Sequence, residues 1–135
     1  DFSNGKTKTI ALADLIPFEE KIRNAEFIII KTGWSKFWGE KSYYENFPVL
    51  SEEAASWLAG FSLKGVGIDA ISIDNINAVS FPIHKKLLAD NIIIIENLSN
   101  LDSITKDCFI LSVLPLKNRN ADGSPVRAVA IEHDV

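Results

Sequence analysis

Three short runs of apolar, mostly β-branched side chains constrain the fold of this chain more than any other feature. They occupy residues 27–30, 92–95 and 109–114. A strand with one face in water alternates polar and apolar residues, whereas these runs are almost unbroken. They therefore predict strands that are covered on both faces, as in a parallel or mixed sheet with helices packed against it.

Helices fit between the predicted strands, and two of them carry clear start signals. Ser51 is a suitable N-cap, two acids follow it where the helix dipole is positive, and Gly60 offers a left-handed stop. A second helix is predicted to begin at Pro82 and to end near Asn91. A weaker third helix is predicted around residues 98–104.

Two further strands complete the set, at residues 65–69 and 126–131. No repeat, low-complexity tract or linker-like stretch divides the sequence, so we expect a single domain over residues 1–135. The alternation of strands and helices predicts an α/β fold, with a mixed, largely buried β-sheet flanked by helices.

Composition and charge exclude several classes of function. The 135 residues carry 14 Lys and Arg against 18 Asp and Glu, with no concentrated basic face, so we expect no nucleic-acid partner. The longest aliphatic run, residues 92–95, is far shorter than the ~20 residues of a membrane-spanning helix, so we expect no membrane partner. The one cysteine, Cys108, excludes a disulfide scaffold and is predicted to be a buried core thiol. Because no secretory signal is visible, we expect a cytoplasmic protein.

His84 and Glu96 are the candidate metal ligands of the sequence. His84 lies at the start of the second predicted helix, and Glu96 ends the strand that follows this helix. A helix followed by a return strand brings its two far ends to one edge of a sheet, where ligands bind in open α/β folds. An imidazole beside a carboxylate suits Zn²⁺ or Mn²⁺. The alternative is a partly exposed histidine and a glutamate in an ordinary salt bridge, and two ligands alone leave a catalytic zinc site incomplete.

Six aromatic residues between positions 34 and 47 are open to three interpretations. They are compatible with the wall of a pocket for a flat substrate, with a subunit interface, or with simple core packing. The six are Trp34, Phe37, Trp38, Tyr43, Tyr44 and Phe47. The second histidine of the chain, His133, lies close to the C-terminus, where chains usually fray, and is given no role.

An ordered series of short sequence blocks runs along essentially the whole chain. The blocks are KTGWSKFWG at residues 31–39, LSEEAASWL at 50–58, GID at 67–69, SID at 72–74, HKKLL at 84–88, IENL at 95–98, NL at 100–101, LPLK at 114–117 and DGSPVRA at 122–128. No single block is specific, but the ordered set resembles the cyclase family of metal-dependent hydrolases. This family includes the bacterial kynurenine formamidases and isatin hydrolases.

The resemblance implies a cyclase-like swivelling β/α fold and a function in hydrolysis of an amide or lactam bond in a small molecule. In that family a histidine and a glutamate at this separation bind Zn²⁺ or Mn²⁺, which makes His84 and Glu96 the expected metal ligands. A divalent metal generates hydroxide from water for attack on the carbonyl carbon. The resemblance further implies that Trp34 and Asp74 bind substrate, and that Asp69 and Asp74 orient groups around the metal.

The family's remaining metal ligands and its catalytic histidine come from an H-x-x-x-H-x-D motif and a further histidine, which this sequence does not contain. We therefore expect this chain to correspond to the C-terminal part of such an enzyme, with no catalytic residue of its own and no activity in isolation. The family resemblance also implies a homo-oligomer. The alternative is a shortened, non-catalytic relative that serves as a binding or oligomerisation module.

Overall fold

In the computed structural model, which describes Phe2 and residues 8–132, the chain divides into two units, Asp1–Leu101 and Asp102–Val135. Among its described residues, the first unit contains five strands and four α-helices joined by 3₁₀ turns. Its strands are β1 (Thr9–Ile10), β2 (Phe27–Ile30), β3 (Val49–Leu50), β4 (Gly65–Ile68) and β5 (Ile93–Ile95). Its helices are α1 (Leu12–Leu15), α2 (Glu19–Arg23), α3 (Glu52–Leu58) and α4 (Pro82–Ala89).

A parallel three-stranded sheet in the order β2-β4-β5 positions the site described below. The pairing is in register from Phe27 beside Gly65 to Ile30 beside Ile68, and Gly67 lies beside Ile95. Every residue of the central strand β4 is buried, as expected for a strand covered on both faces. A Cβ at Gly67 would lie 2.5 Å from Cδ1 of Ile29 and 2.7 Å from Cδ1 of Leu98, so any larger residue here would require these side-chain ends to shift.

Helix α3 begins as the sequence predicts and ends differently. The Ser51 hydroxyl accepts a hydrogen bond from the Ala54 amide at 3.1 Å, which is the expected N-cap. The prediction of a left-handed stop at Gly60 is wrong: the glycines with positive φ in the described residues are Gly33 and Gly39. Gly60 instead donates its amide to the Trp57 carbonyl, so a tight turn without a left-handed residue closes the helix.

The second unit holds one antiparallel hairpin, formed by β6 (Ile110–Pro115) and β7 (Val126–Ile131). The predicted cover on both faces of residues 109–114 is wrong, because Ile110 and Leu114 are 55% and 65% exposed. A two-stranded ribbon cannot cover its own faces. The prediction that Cys108 is a buried thiol is also wrong: the residue is exposed, in a bend that precedes β6.

The third predicted helix, around residues 98–104, is reduced to a single 3₁₀ turn at Leu101–Ser103. Asn100 just before it has a φ of 59°, a left-handed conformation that no helix can pass through. No helix among the described residues is long and apolar enough to cross a membrane. Parallel pairing in the first unit, antiparallel pairing in the second and the flanking helices confirm the mixed α/β class.

Replacing Ser51 by alanine tests whether the cap stabilises the fold. We expect Ser51→Ala to lower the free energy of unfolding by about 1 kcal/mol, because the Ala54 amide loses its acceptor. Ser56→Ala, at an exposed position inside the same helix, is the matched control and should change stability by no more than roughly 0.5 kcal/mol. Equal losses for the two variants in denaturant unfolding would contradict the cap.

Candidate metal centre at the strand ends

Helix α4 and strand β5 form the hairpin that builds the candidate site. Pro82 occupies the first turn of the helix, where its missing amide hydrogen costs nothing. Phe81, the residue before it, has a φ of 47°, which is unusual for a bulky side chain, and it provides no cap. The first amides of α4, which have no acceptor within the helix, therefore need an acceptor from another part of the chain.

Asp74 supplies that acceptor from a loop outside the helix. Its Oδ1 accepts a hydrogen bond from the Ile83 amide at 3.1 Å, and its Oδ2 accepts one from the His84 amide at 2.9 Å. The negative charge also lies at the positive end of the helix dipole. Only 2% of the Asp74 side chain is exposed, so this carboxylate is a fixed, buried part of the structure.

The same carboxylate orients the His84 ring. His84 Nδ1 lies 2.7 Å from Asp74 Oδ2, and on the other side of the ring Nε2 lies 3.2 Å from Glu96 Oε1. When the proton is on Nδ1 it is donated to Asp74, which leaves the Nε2 lone pair directed towards Glu96. A carboxylate behind the imidazole is the usual support for a metal-binding histidine.

Glu96 reaches this point because it directly follows β5. Its Oε1 accepts a hydrogen bond from the Ile73 amide at 2.9 Å. Beyond it, the Leu98 amide donates to the Ile68 carbonyl, so the chain continues alongside β4 past the end of the strand. Glu96 is thus held by its own carboxylate and by the backbone that follows.

The donor atoms of His84 and Glu96 fit a divalent metal in spacing but not in number. Two ligands of one zinc ion, each at ~2.0–2.2 Å from it, lie roughly 3–3.5 Å apart, and the observed Nε2 to Oε1 distance is 3.2 Å. About a quarter of each side chain is exposed, which leaves room for further ligands. Within the part of the chain that the structure describes, no group of three or more His, Cys, Asp and Glu side chains is placed to hold a metal ion. These residues therefore offer two donors and one supporting carboxylate.

A second buried carboxylate, Asp69, follows the central strand. Its Oδ1 accepts hydrogen bonds from the Thr32 amide at 2.8 Å and from the Thr32 hydroxyl at 2.6 Å. Its Oδ2 is buried and has no hydrogen-bond partner among the described residues. Asp69 thus fixes the chain that leaves β2 and leaves one acceptor atom uncommitted.

Trp34 and Tyr43 lie in the long loop between β2 and β3. The Trp34 indole Nε1 donates to the Tyr43 carbonyl at 2.9 Å, and the Tyr43 hydroxyl donates to Asn97 Oδ1 at 2.8 Å. Of the three interpretations left open for the six aromatic residues, core packing holds for Tyr43 and Phe47, which are buried. Trp38 and Tyr44 are exposed.

The structure thus brings His84, Glu96 and Asp74 into one cluster, and Trp34 is connected to the residue after Glu96 through Tyr43. The roles of His84 and Glu96 as metal ligands, and of Trp34 and Asp74 as substrate contacts, stay predictions. Both Asp74 oxygens are occupied by α4, a geometry that favours orientation of His84 over direct contact with substrate. His133 lies outside the described residues.

The sequence singles out Tyr43 only as one of six aromatic residues with three open interpretations, and it gives Asn97 no role. The two are 54 positions apart, and neither residue type is distinctive by itself. The one available signal was the position of Asn97 directly after Glu96, at the end of a predicted strand.

The Tyr43 hydroxyl provides a pH-dependent signature of this arrangement. Burial raises the pKa of Tyr43 from 10.0 to about 12, and the nearby charges of Asp69, Tyr44 and Glu96 act in the same direction. Because the folded chain holds this proton more tightly than the unfolded chain, the stabilisation is complete below pH 10 and is lost as the pH rises towards 12. We expect tyrosinate absorbance to contain a component centred near pH 12 that Tyr43→Phe removes. Complete ionisation of both tyrosines near pH 10 would contradict the burial.

Several proteins of known sequence are similar to this chain over most of its length. A protein of Methanocaldococcus jannaschii is 39% identical over 129 residues, which are 94% of this chain and 64% of that protein. A kynurenine formamidase of Geobacillus thermodenitrificans is 34% identical over 75% of this chain and 47% of its own length. An isatin hydrolase of Roseibium aggregatum is 31% identical over 88% of this chain and 51% of its own length. The chain thus spans between about half and two thirds of the length of these relatives.

A solved structure described as a potential metal-dependent hydrolase with cyclase activity superimposes with a TM-score of 0.81 at 28% identity. The match covers 96% of this chain and 61% of that one. The family described as "Putative cyclase" matches residues 1–75, which is more than half of the 135 residues and includes Asp74. On this agreement of sequence, fold and family, the chain belongs to the cyclase family.

Proposed function

We propose that this chain contributes His84 and Glu96 to the metal centre of a hydrolase that cleaves an amide or lactam bond in a small molecule. The observation that carries the proposal is the position of His84 between two carboxylates, with Asp74 behind the ring and Glu96 in front of it. The support from relatives is that they include a kynurenine formamidase and an isatin hydrolase.

The donor set favours Zn²⁺ or Mn²⁺ as the metal. An imidazole nitrogen and a carboxylate oxygen are accepted by both ions, whereas Ca²⁺ and Mg²⁺ prefer oxygen ligands alone. The chemistry that such an ion supplies when bound is a hydroxide nucleophile at neutral pH and polarisation of a carbonyl group. His84 and Glu96 would bind the ion, and Asp74 would keep the His84 lone pair directed at it.

For the substrate we propose a small aromatic amide or a lactam fused to an aromatic ring. Trp34 would contribute the face of its ring, since its indole N–H is already donated to the Tyr43 carbonyl. Asp74 would act on the substrate only through His84, because helix α4 occupies both of its oxygens. The exposed thiol of Cys108 is compatible with a reducing compartment, and we place the protein in the cytoplasm.

Metal titration of the chain tests the two-donor site. We expect weak binding of one Zn²⁺ or Mn²⁺ per chain, weakened at least tenfold further in His84→Ala, because one of two ligands is lost. The control is His133→Ala, which removes the other histidine and should leave the affinity unchanged. Equal affinities of wild type and His84→Ala in calorimetry would contradict the site.

With two donors the metal-loaded chain should hydrolyse an N-formyl aryl amine no faster than free metal, so robust turnover would contradict the incomplete centre.

We further propose that the chain forms a homo-oligomer through the hairpin β6–β7. The register places Ile110 opposite Ile131, and Ser112 opposite Val129, on one face of the ribbon with Leu114. The four apolar side chains of this face are between 42% and 65% exposed, which is typical of an interaction surface.

Sedimentation velocity tests this assembly. We expect the wild-type chain to sediment as a dimer or larger species, and Leu114→Ser to shift the distribution towards monomer. Leu88→Ser, at an exposed leucine of α4 in the first unit, is the matched control and should leave the distribution unchanged. A monomeric wild-type chain at concentrations of tens of micromolar would overturn the proposal.

A further inference from the structure

The loop between β2 and β3 is tied to the end of the central strand. Asp69 Oδ1 accepts both hydrogen bonds that Thr32 offers, from its amide and from its hydroxyl. The Thr32 hydroxyl oxygen in turn accepts a hydrogen bond from the Trp34 backbone amide at 3.1 Å. The entry of the loop is therefore fixed by a fully buried carboxylate.

Further along the loop, Tyr43 is fixed at both its backbone and its ring. Its carbonyl accepts the hydrogen bond from the Trp34 indole, and its ring meets Trp38 edge-on with centroids 5.1 Å apart. Only 1% of Tyr43 is exposed. A buried tyrosine normally directs its hydroxyl at a specific partner, and here the partner is Asn97 Oδ1 at 2.8 Å.

Asn97 is the residue that directly follows Glu96. It has a left-handed φ of 59°, and its amide donates to the Ala70 carbonyl at 2.9 Å. Asn97 is thus held at its backbone amide by the Ala70 carbonyl beyond β4 and at its side-chain oxygen by the Tyr43 hydroxyl. Loss of the Tyr43 hydroxyl would leave the side-chain oxygen of Asn97, the residue next to Glu96, without this contact.

We propose that Tyr43 is a positioning residue for Glu96, acting through Asn97. The inference rests on the proposed function, because it concerns the orientation of a metal donor. The pre-organisation of a donor by residues that do not touch the metal changes metal affinity by roughly 10–100-fold. Burial raises the pKa of Tyr43 to about 12, so its hydroxyl keeps its proton and remains a hydrogen-bond donor at neutral pH.

The test compares Co²⁺ binding by Tyr43→Phe with Co²⁺ binding by Tyr44→Phe. Co²⁺ replaces zinc in sites of this type and has a visible absorption that reports coordination geometry. We expect Tyr43→Phe to weaken Co²⁺ binding about tenfold and to alter the absorption spectrum, because the ring stays but the hydroxyl is lost. Tyr44→Phe removes the hydroxyl of the exposed neighbouring tyrosine and should bind Co²⁺ within twofold of the wild-type affinity.

A second variant separates positioning from stability. Asn97→Gly keeps the left-handed backbone conformation accessible and removes the side-chain amide whose oxygen accepts the hydrogen bond from Tyr43. If the two residues act through their shared hydrogen bond, the double variant should bind Co²⁺ no more weakly than the weaker single variant. Denaturant unfolding of each variant shows that it is folded at the temperature of the titration.

Each outcome decides between the explanations. Wild-type affinity in a folded Tyr43→Phe, or independent losses that multiply in the double variant, would overturn the positioning role while leaving the metal site in place. If wild type binds no Co²⁺, or if His84→Ala binds it equally well, the proposed function fails and this inference fails with it. A coupled, roughly tenfold loss confined to Tyr43→Phe and Asn97→Gly supports the role.

Discussion

The carboxylate of Asp74 is the contact on which the arrangement of the site depends. It caps the first two free amides of helix α4 and holds Nδ1 of His84. The residue next to the helix cannot cap it, because Phe81 at the N-cap position has a left-handed backbone and no acceptor in its side chain. Because one buried group serves the helix and the imidazole, the position of the ring is coupled to the start of the helix. A site built on a helix terminus in this way is more precise than one held by loops alone.

The sequence predicts much of this fold because its strongest signals are local. The apolar run of residues 27–30, the Ser51 cap and Pro82 each act within a few residues of themselves, and the structure has each element where expected. The meeting of His84 and Glu96 could also be anticipated, because a helix and a return strand leave few ways to separate their far ends. The apolar runs misled where their cover was not local. The hairpin is exposed, and Ile93 of the edge strand β5, predicted to be covered on both faces, is 46% exposed.

Other parts of the site depend on contacts that no short sequence window contains. Asp74 reaches over the start of α4 from a loop, and Tyr43 reaches Asn97 across 54 positions. Tyr43, Asp74 and Asn97 lie in segments that follow the strands β2, β4 and β5. Their contacts therefore depend on the sheet, which brings the ends of these strands together. For this reason the residue pattern alone indicated which residues could bind metal. The family resemblance implied an orienting role for Asp74, and nothing in the sequence indicated the contact between Tyr43 and Asn97.

The same geometry is the basis of our proposal that the chain contributes to a catalytic centre. The spacing of its two donor atoms and the supporting carboxylate are compatible with a divalent metal site, and the chain spans 47–64% of the length of the three relatives described above. The fold is that of the cyclase family, and the candidate site lies at one edge of the parallel sheet. In our proposal the described residues contribute orientation and two ligands, and the remaining ligands come from polypeptide outside them.

A crystal of this chain grown with Zn²⁺ would test the central claim most directly. Anomalous scattering at the zinc edge should show one ion at ~2.0–2.2 Å from both His84 Nε2 and Glu96 Oε1, with Asp74 still in contact with Nδ1. An ion bound elsewhere, or a His84 ring that has turned away from Glu96, would contradict the account.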